Sequence, residues 1–133
     1  MRRTAILLSL LSGLGLLAAP AAAETFERTV KMNTPSAIGG FLGYEVDTCY
    51  AAAIPDVKVR QEPSNGSFRV IPHEQALSKD TRCAGKKVRG LAYVYTPKKG
   101  FKGLDEVQID VPWHTTDSGP QTVWTYTFRI RVE

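Results

Sequence analysis

The chain is poor in the residues that build active sites and metal centres. Its 133 residues include 2 cysteines and 2 histidines. Cys49 and Cys83 form no C-x-x-C, and His73 and His114 form no H-x-x-x-H. The common zinc spacings are therefore missing. Ser64, Ser67, Ser78 and Ser118 lack the G-x-S-x-G context that exposes a nucleophile on a sharp turn. No clustered acidic residues suggest calcium, and nothing in the sequence calls for a cofactor. Internal repeats and low-complexity segments are absent downstream of the N-terminal region. Beyond that region no apolar run approaches the roughly 20 residues a membrane-spanning helix requires.

What is present begins with "MRRTAILLSLLSGLGLLAAPAAAET". Two arginines, an apolar stretch from Ala5 to about Ala19, and small residues ending in Ala21, Ala22 and Ala23 follow the grammar of a secretory signal peptide. The expected domains are a leader over 1–23 and one folded domain over 24–133. Arg2-Arg3 reads as the positive n-region, with twin-arginine export as the alternative. No cysteine follows the cleavage point, so an N-terminal lipid anchor is not indicated. Removing the leader takes 2 of the 17 basic residues and none of the 13 acids, leaving 15 against 13, or +2. So balanced a domain lacks the electrostatic footprint of a nucleic-acid binder. The expected location is the periplasm or the exterior.

In an oxidising compartment, an even cysteine count reads as one disulfide, Cys49 to Cys83. The alternative is a site made from both thiolates with His73 and His114, which no spacing supports.

The remaining signal is period. "VWTYTFRIRV" sets Trp124, Tyr126, Phe128, Ile130 and Val132 on one side, and "EVQIDVPW" does the same with Val107, Ile109, Val111 and Trp113. Alternation of this kind marks half-buried strands. Weaker strand signals start at Phe26, Val57, Ser67 and Leu91, and Ile38 to Val46 supplies another. Turn residues punctuate these runs at Asn33–Pro35, Pro55–Asp56, Pro63–Gly66, Gly85, Gly90, Pro97–Gly103 and Asp117–Pro120. The expected fold is all-β, an antiparallel sandwich of about seven strands with one disulfide. The one helix candidate is "PHEQALSKD", Pro72 to Asp80.

"YTPKKGFKGLDEVQIDV", Tyr95 to Val111, reads as a structural corner. Pro97 ends a strand because it cannot donate to the ladder. Lys98-Lys99-Gly100 makes a turn in which Gly100 takes positive φ without steric cost. Phe101 returns a ring to the core, Gly103 allows a second bend, and Asp105 accepts hydrogen bonds from backbone N–H groups. This stretch, with "EPSNGSFRV" upstream, resembles the Y-T-P-x-x-G-F-x-G-x-D signature of bacterial immunoglobulin-like and cadherin-like domains. The resemblance covers about Pro63 to Val111 and implies an immunoglobulin-like sandwich. It says almost nothing about function, because sites are grafted onto such folds independently. The chain departs from usual members in holding one copy, in having Val107 and Ile109 where aromatics are common, and in lacking junctional acid clusters.

Two features suggest a binding surface. Lys98, Lys99 and Lys102 crowd one turn, and Lys86, Lys87 and Arg89 precede the adjoining strand. At one end of the sandwich they would form a basic patch for an anionic polysaccharide, lipid headgroups or an acidic protein. Otherwise they are solvated turn lysines. The second feature is "PWHTTDSGPQ", Pro112 to Gln121, which bears Trp113 and His114 in an end loop of the kind that binds partners. By parity, Trp113 is expected to cap the core. "NGS" at Asn65 to Ser67 matches a glycosylation sequon but reads as a hairpin turn.

The expected function is that of a non-catalytic, exported module contacting a protein or polysaccharide of the cell envelope. One alternative is an accessory subunit pairing through the strand edge at Phe26 to Met32. The other is a small hydrolase, which would gather two or more of Glu106, Asp110, Asp117, His73 and His114 in one pocket.

Overall fold

A computed structural model describes residues 22–114 and 120–133. Residues 1–21 of the expected 1–23 leader and the turn around Asp117 lie outside the described residues, while Ala22 and Ala23 are described. Seven strands follow in order: β1 (Ala22–Val30), β2 (Ser36–Leu42), β3 (Lys58–Gln61), β4 (Gly66–Ala76), β5 (Lys87–Pro97), β6 (Gly103–His114) and β7 (Gln121–Val132). They form a four-stranded sheet, β1-β7-β6-β3, and a three-stranded sheet, β2-β5-β4. Among the described residues no helix is long and apolar enough to cross a membrane. Pairing is antiparallel except at one sheet margin, where β1 runs parallel to β7 from Ala22↔Trp124 to Val30↔Val132.

The period of two becomes the core. Along β6, Asp105, Val107, Ile109 and Val111 are buried while the residues between them stay partly exposed. Phe128, Ile130 and Val132 of β7 meet them on the same inner face, and Ile38, Phe68, Tyr93 and Tyr95 close the layer from the other sheet. Burying such aliphatic and aromatic side chains stabilises a domain by about 1.5–3 kcal/mol each.

The helix expected over Pro72 to Asp80 does not form. β4 instead continues to Ala76, because His73, Glu74, Gln75 and Ala76 find ladder partners in Gly90, Arg89, Val88 and Lys87. Nine residues with one proline offer little intrinsic helix stability against a complete ladder. Pro72 is tolerated because β4 is an edge strand.

The Cys49–Cys83 disulfide is present, joining positions 34 apart. It ties the β2–β3 connection to the β4–β5 connection beside a small second core of Leu77, Cys83 and Val88. β2, β4 and β6 finish at this disulfide end, and β3, β5 and β7 begin there. The Lys98–Lys102 turn, which joins β5 to β6, lies at the opposite end.

Candidate functional site

The corner resolves into a buried hydrogen-bond junction. The Asp105 carboxylate accepts bonds from the Ser64 and Asn65 N–H groups at 2.9 Å each, from the Tyr95 hydroxyl at 2.8 Å, and from the Glu106 N–H at 2.9 Å. Burial and the neighbouring Asp105 carboxylate push the Tyr95 phenol above its ordinary range. Gly100 has φ of 77°, and its N–H donates to Asn33 Oδ1 at 2.8 Å. Pro97 ends β5, and Phe101 packs against the core. Gly103 has φ of 134°, in the region that favours glycine. Every acceptor position of Asp105 is committed to holding strands together.

The two basic groups are not brought together. Lys87 opens β5 and Lys98 follows its last residue, so they occupy opposite ends of the molecule. An extended chain rises about 3.3 Å per residue, which separates them by roughly 35 Å, several Debye lengths at physiological salt. Several of these cations already have local partners. Lys98 Nζ donates to the Ser64 carbonyl at 2.9 Å, Arg89 faces Glu74 at 4.0 Å, and Lys86 Nζ donates to the Cys49 carbonyl while lying 5.8 Å from the Tyr50 ring. Lys99 and Lys102 are exposed on the turn. No single basic patch results.

The residues named for a hydrolase are likewise scattered. Glu106 and Asp110 alternate on the outer face of β6, where Arg60 bonds both Asp110 carboxylate oxygens at 3.0 Å and holds that carboxyl below its usual range. His73 lies on β4 in the other sheet, with its Nε2 at 2.9 Å from Gln75 Oε1. Asp117 lies outside the described residues.

The disulfide end carries a different constellation. Trp113 does not cap the core: it is 38% exposed, although Val111, two residues earlier, is buried. On β7 burial is lost at the same level, since Phe128 is buried, Tyr126 is partly buried and Trp124 is 40% exposed. Part of the cause on β7 lies in β1, whose register sets Glu24 beside Tyr126 where Phe26 stacks on Phe128 at 5.3 Å; Ala22, beside Trp124, belongs to the expected leader and would be lost on cleavage. A carboxylate cannot cover a phenol as Phe26 covers Phe128. The inner face of the sheet therefore opens.

This opening is a groove of about 260 Å³ lined by Phe41, Val111, Trp113, Trp124 and Tyr126. Phe41 of β2 packs against Trp113, with tilted rings and centroids 5.5 Å apart. Trp113 also borders a second hollow of about 660 Å³, lined by Tyr44, Glu45 and the 51–56 segment together with Pro112, His114 and Gln121. His114 Nε2 lies 3.4 Å from Gln121 Nε2 across the mouth of the β6–β7 connection. The disulfide constrains this region because Cys49 sits in the β2–β3 connection that carries Tyr44, Glu45 and 51–56. Glu45 is itself fixed, accepting from Thr48 Oγ1 at 2.7 Å.

Trp113 and His114 were legible as candidates from the sequence. Phe41, Tyr44, Trp124 and Tyr126 were not, although Trp124 and Tyr126 carry the same alternation as the core residues after them. The one available signal was the acidic Glu24 two residues before Phe26, which becomes meaningful only with the parallel register to β7. No family model, curated protein or solved structure matches this chain.

Proposed function

We propose that this chain is an exported, non-catalytic interaction module of immunoglobulin-like type, which contacts a protein or polysaccharide of the cell envelope through its disulfide end. The strand order β1-β7-β6-β3 over β2-β5-β4, with β1 parallel to β7, supports the immunoglobulin-like reading. The disulfide and the leader-like N-terminus support export. One observation carries the choice of surface: both tryptophans of the chain lie exposed on one open groove, bordered by a second hollow. Contiguous exposed aromatic surface is costly in water and typically marks an interaction site. Affinity capture from envelope extract tests the reading. Wild-type protein should retain a component that Trp113→Ala loses, and equal retention by both would overturn it.

A second reading, strand addition at a sheet margin, is favoured by β1 lying at the edge of its sheet. Its test is a proline placed at Thr25 or Glu27, which should abolish retention if that edge pairs with a partner.

A further inference from the structure

We infer that the ligand of the disulfide end is a neutral saccharide, bound with a sugar ring face against Trp113 and its hydroxyl groups turned into the adjoining hollow. The inference rests on the site reading above and adds the chemistry of the ligand.

Three observations converge on it. The first is the pairing of surfaces on either side of Trp113: the groove of Phe41, Val111, Trp124 and Tyr126 is aromatic and aliphatic, whereas the hollow is lined by the polar residues Glu45, Tyr44, His114 and Gln121 among others. A purely apolar ligand would strip water from those polar groups without offering hydrogen bonds in return, which opposes its binding. A purely polar ligand would gain nothing from the indoles. A sugar ring has both characters. Its axial C–H bonds form a weakly positive face that suits the electron-rich face of an indole, and its rim of hydroxyls donates and accepts.

The second observation is charge. Among the described residues, no lysine or arginine lines the groove or the hollow. Asp56 at the rim is paired with Lys58. A sulfated, phosphorylated or uronic polymer would meet the Glu45 carboxylate with no cation in the lining to offset it, and like-charge juxtaposition opposes binding. The neutral members of the class remain.

The third observation is preorganisation. Phe41 packs against the Trp113 ring, Trp124 lies 6.5 Å from Tyr126, and the disulfide tethers the 43–57 connection. A platform already held in place avoids the ordering cost that weakens binding by flexible loops. The volumes, about 260 and 660 Å³, fall in or near the range of small-ligand sites, roughly 300–1,000 Å³.

Because Trp113 and Trp124 are the chain's 2 tryptophans, selectively excited tryptophan emission reports on this site. The oxidised protein should be titrated with chitotetraose and cellotetraose as neutral probes, and with dextran sulfate as the anionic control. The expected result is a saturable blue shift in tryptophan emission with at least one neutral probe, unchanged between low and high salt and absent with dextran sulfate. Trp113→Ala should weaken that binding by about tenfold or more, as expected for an aromatic anchor. Gln121→Ala, which leaves both indoles in place, should weaken it by a smaller factor and keeps the test valid if Trp113→Ala unfolds. An emission shift with dextran sulfate alone, or no shift with either neutral probe at millimolar concentration, would overturn the inference. Envelope capture that depends on Trp113 yet is abolished by exhaustive proteolysis of the extract would also overturn it, pointing to a polypeptide ligand and leaving the site reading intact. Capture indifferent to Trp113 would instead count against the site itself.

Discussion

Tyr95 and Asp105, ten positions apart and both buried, are joined by a 2.8 Å hydrogen bond from the phenol to Oδ2. The carboxylate that receives this bond also holds the Ser64 and Asn65 N–H groups, so one side chain locks β5, β6 and the turn before β4. Asp105→Ala would leave a buried hydroxyl and three N–H groups without this acceptor. It should lower stability by roughly 2–4 kcal/mol, because each stranded donor costs about 1–3 kcal/mol and part of the loss is recovered by water. A double-mutant cycle with Tyr95→Phe in urea unfolding should show coupling of about 1 kcal/mol or more. Additive effects would mean that the pair does not act as a unit.

Gly100 tests the same corner from the backbone side. With φ of 77°, it occupies a conformation that β-branched residues resist, and a Cβ at this position would meet no atom within 4 Å, so backbone strain alone sets the cost. Gly100→Val should therefore lower stability by roughly 1–3 kcal/mol. Asn33→Ala, which removes the acceptor for the Gly100 N–H, should destabilise by about 1 kcal/mol. An unchanged thermal midpoint in Gly100→Val would contradict this account of the turn.

Much of this framework was legible in the sequence. The alternation over Val107–Val111 and Phe128–Val132 and the turn at Gly100 arise from local geometry, which a chain of residues records directly, and Asp105 was legible as an acceptor of backbone N–H groups but with nearby partners only. What was not legible depends on pairing. The partners of Asp105 lie 40 and 41 positions away. The helix expected at Pro72 became strand because β5 offered a ladder, and the exposure of Tyr126 depends on which β1 residues lie beside β7. The basic residues fall at opposite ends for a similarly simple reason: they flank a single long strand.

The disulfide bears on both stability and the site. Thiol labelling of unreduced, denatured protein should find neither Cys49 nor Cys83 free. Closing a loop of this length is worth about 4 kcal/mol in the chain-entropy model, so reduction should lower the unfolding midpoint markedly. Because the bridge anchors the 43–57 connection, reduction under native conditions should weaken ligand retention at temperatures where the domain stays folded. Retention unaffected by reduction would place the binding surface away from this connection.

Alkaline pH offers a test of the core. Burial, with a smaller contribution from Tyr126, pushes the Tyr93 phenol up to about 12, and Tyr95 is also raised. In the unfolded chain a phenol ionises near 10, so between about pH 10 and 12 the unfolded state holds fewer protons than the native one. The stabilisation is complete below about pH 10 and is lost as pH rises toward about 12. The thermal midpoint should fall across that window, and phenolate absorbance from Tyr93 and Tyr95 should appear together with unfolding. Early ionisation of all 5 tyrosines in folded protein would contradict the burial assigned to this pair.

The central claim concerns which end of the molecule binds, and the most direct measurement compares two variants in one capture experiment on envelope extract. Trp113→Ala alters the disulfide end, whereas Lys98→Gln, Lys99→Gln and Lys102→Gln together neutralise the opposite turn. Retention should fall about tenfold or more in the tryptophan variant, persist in the triple lysine variant, and change little with salt. Loss of retention in the lysine variant, with steep salt dependence and no effect of Trp113→Ala, would contradict the account and assign binding to the basic turn.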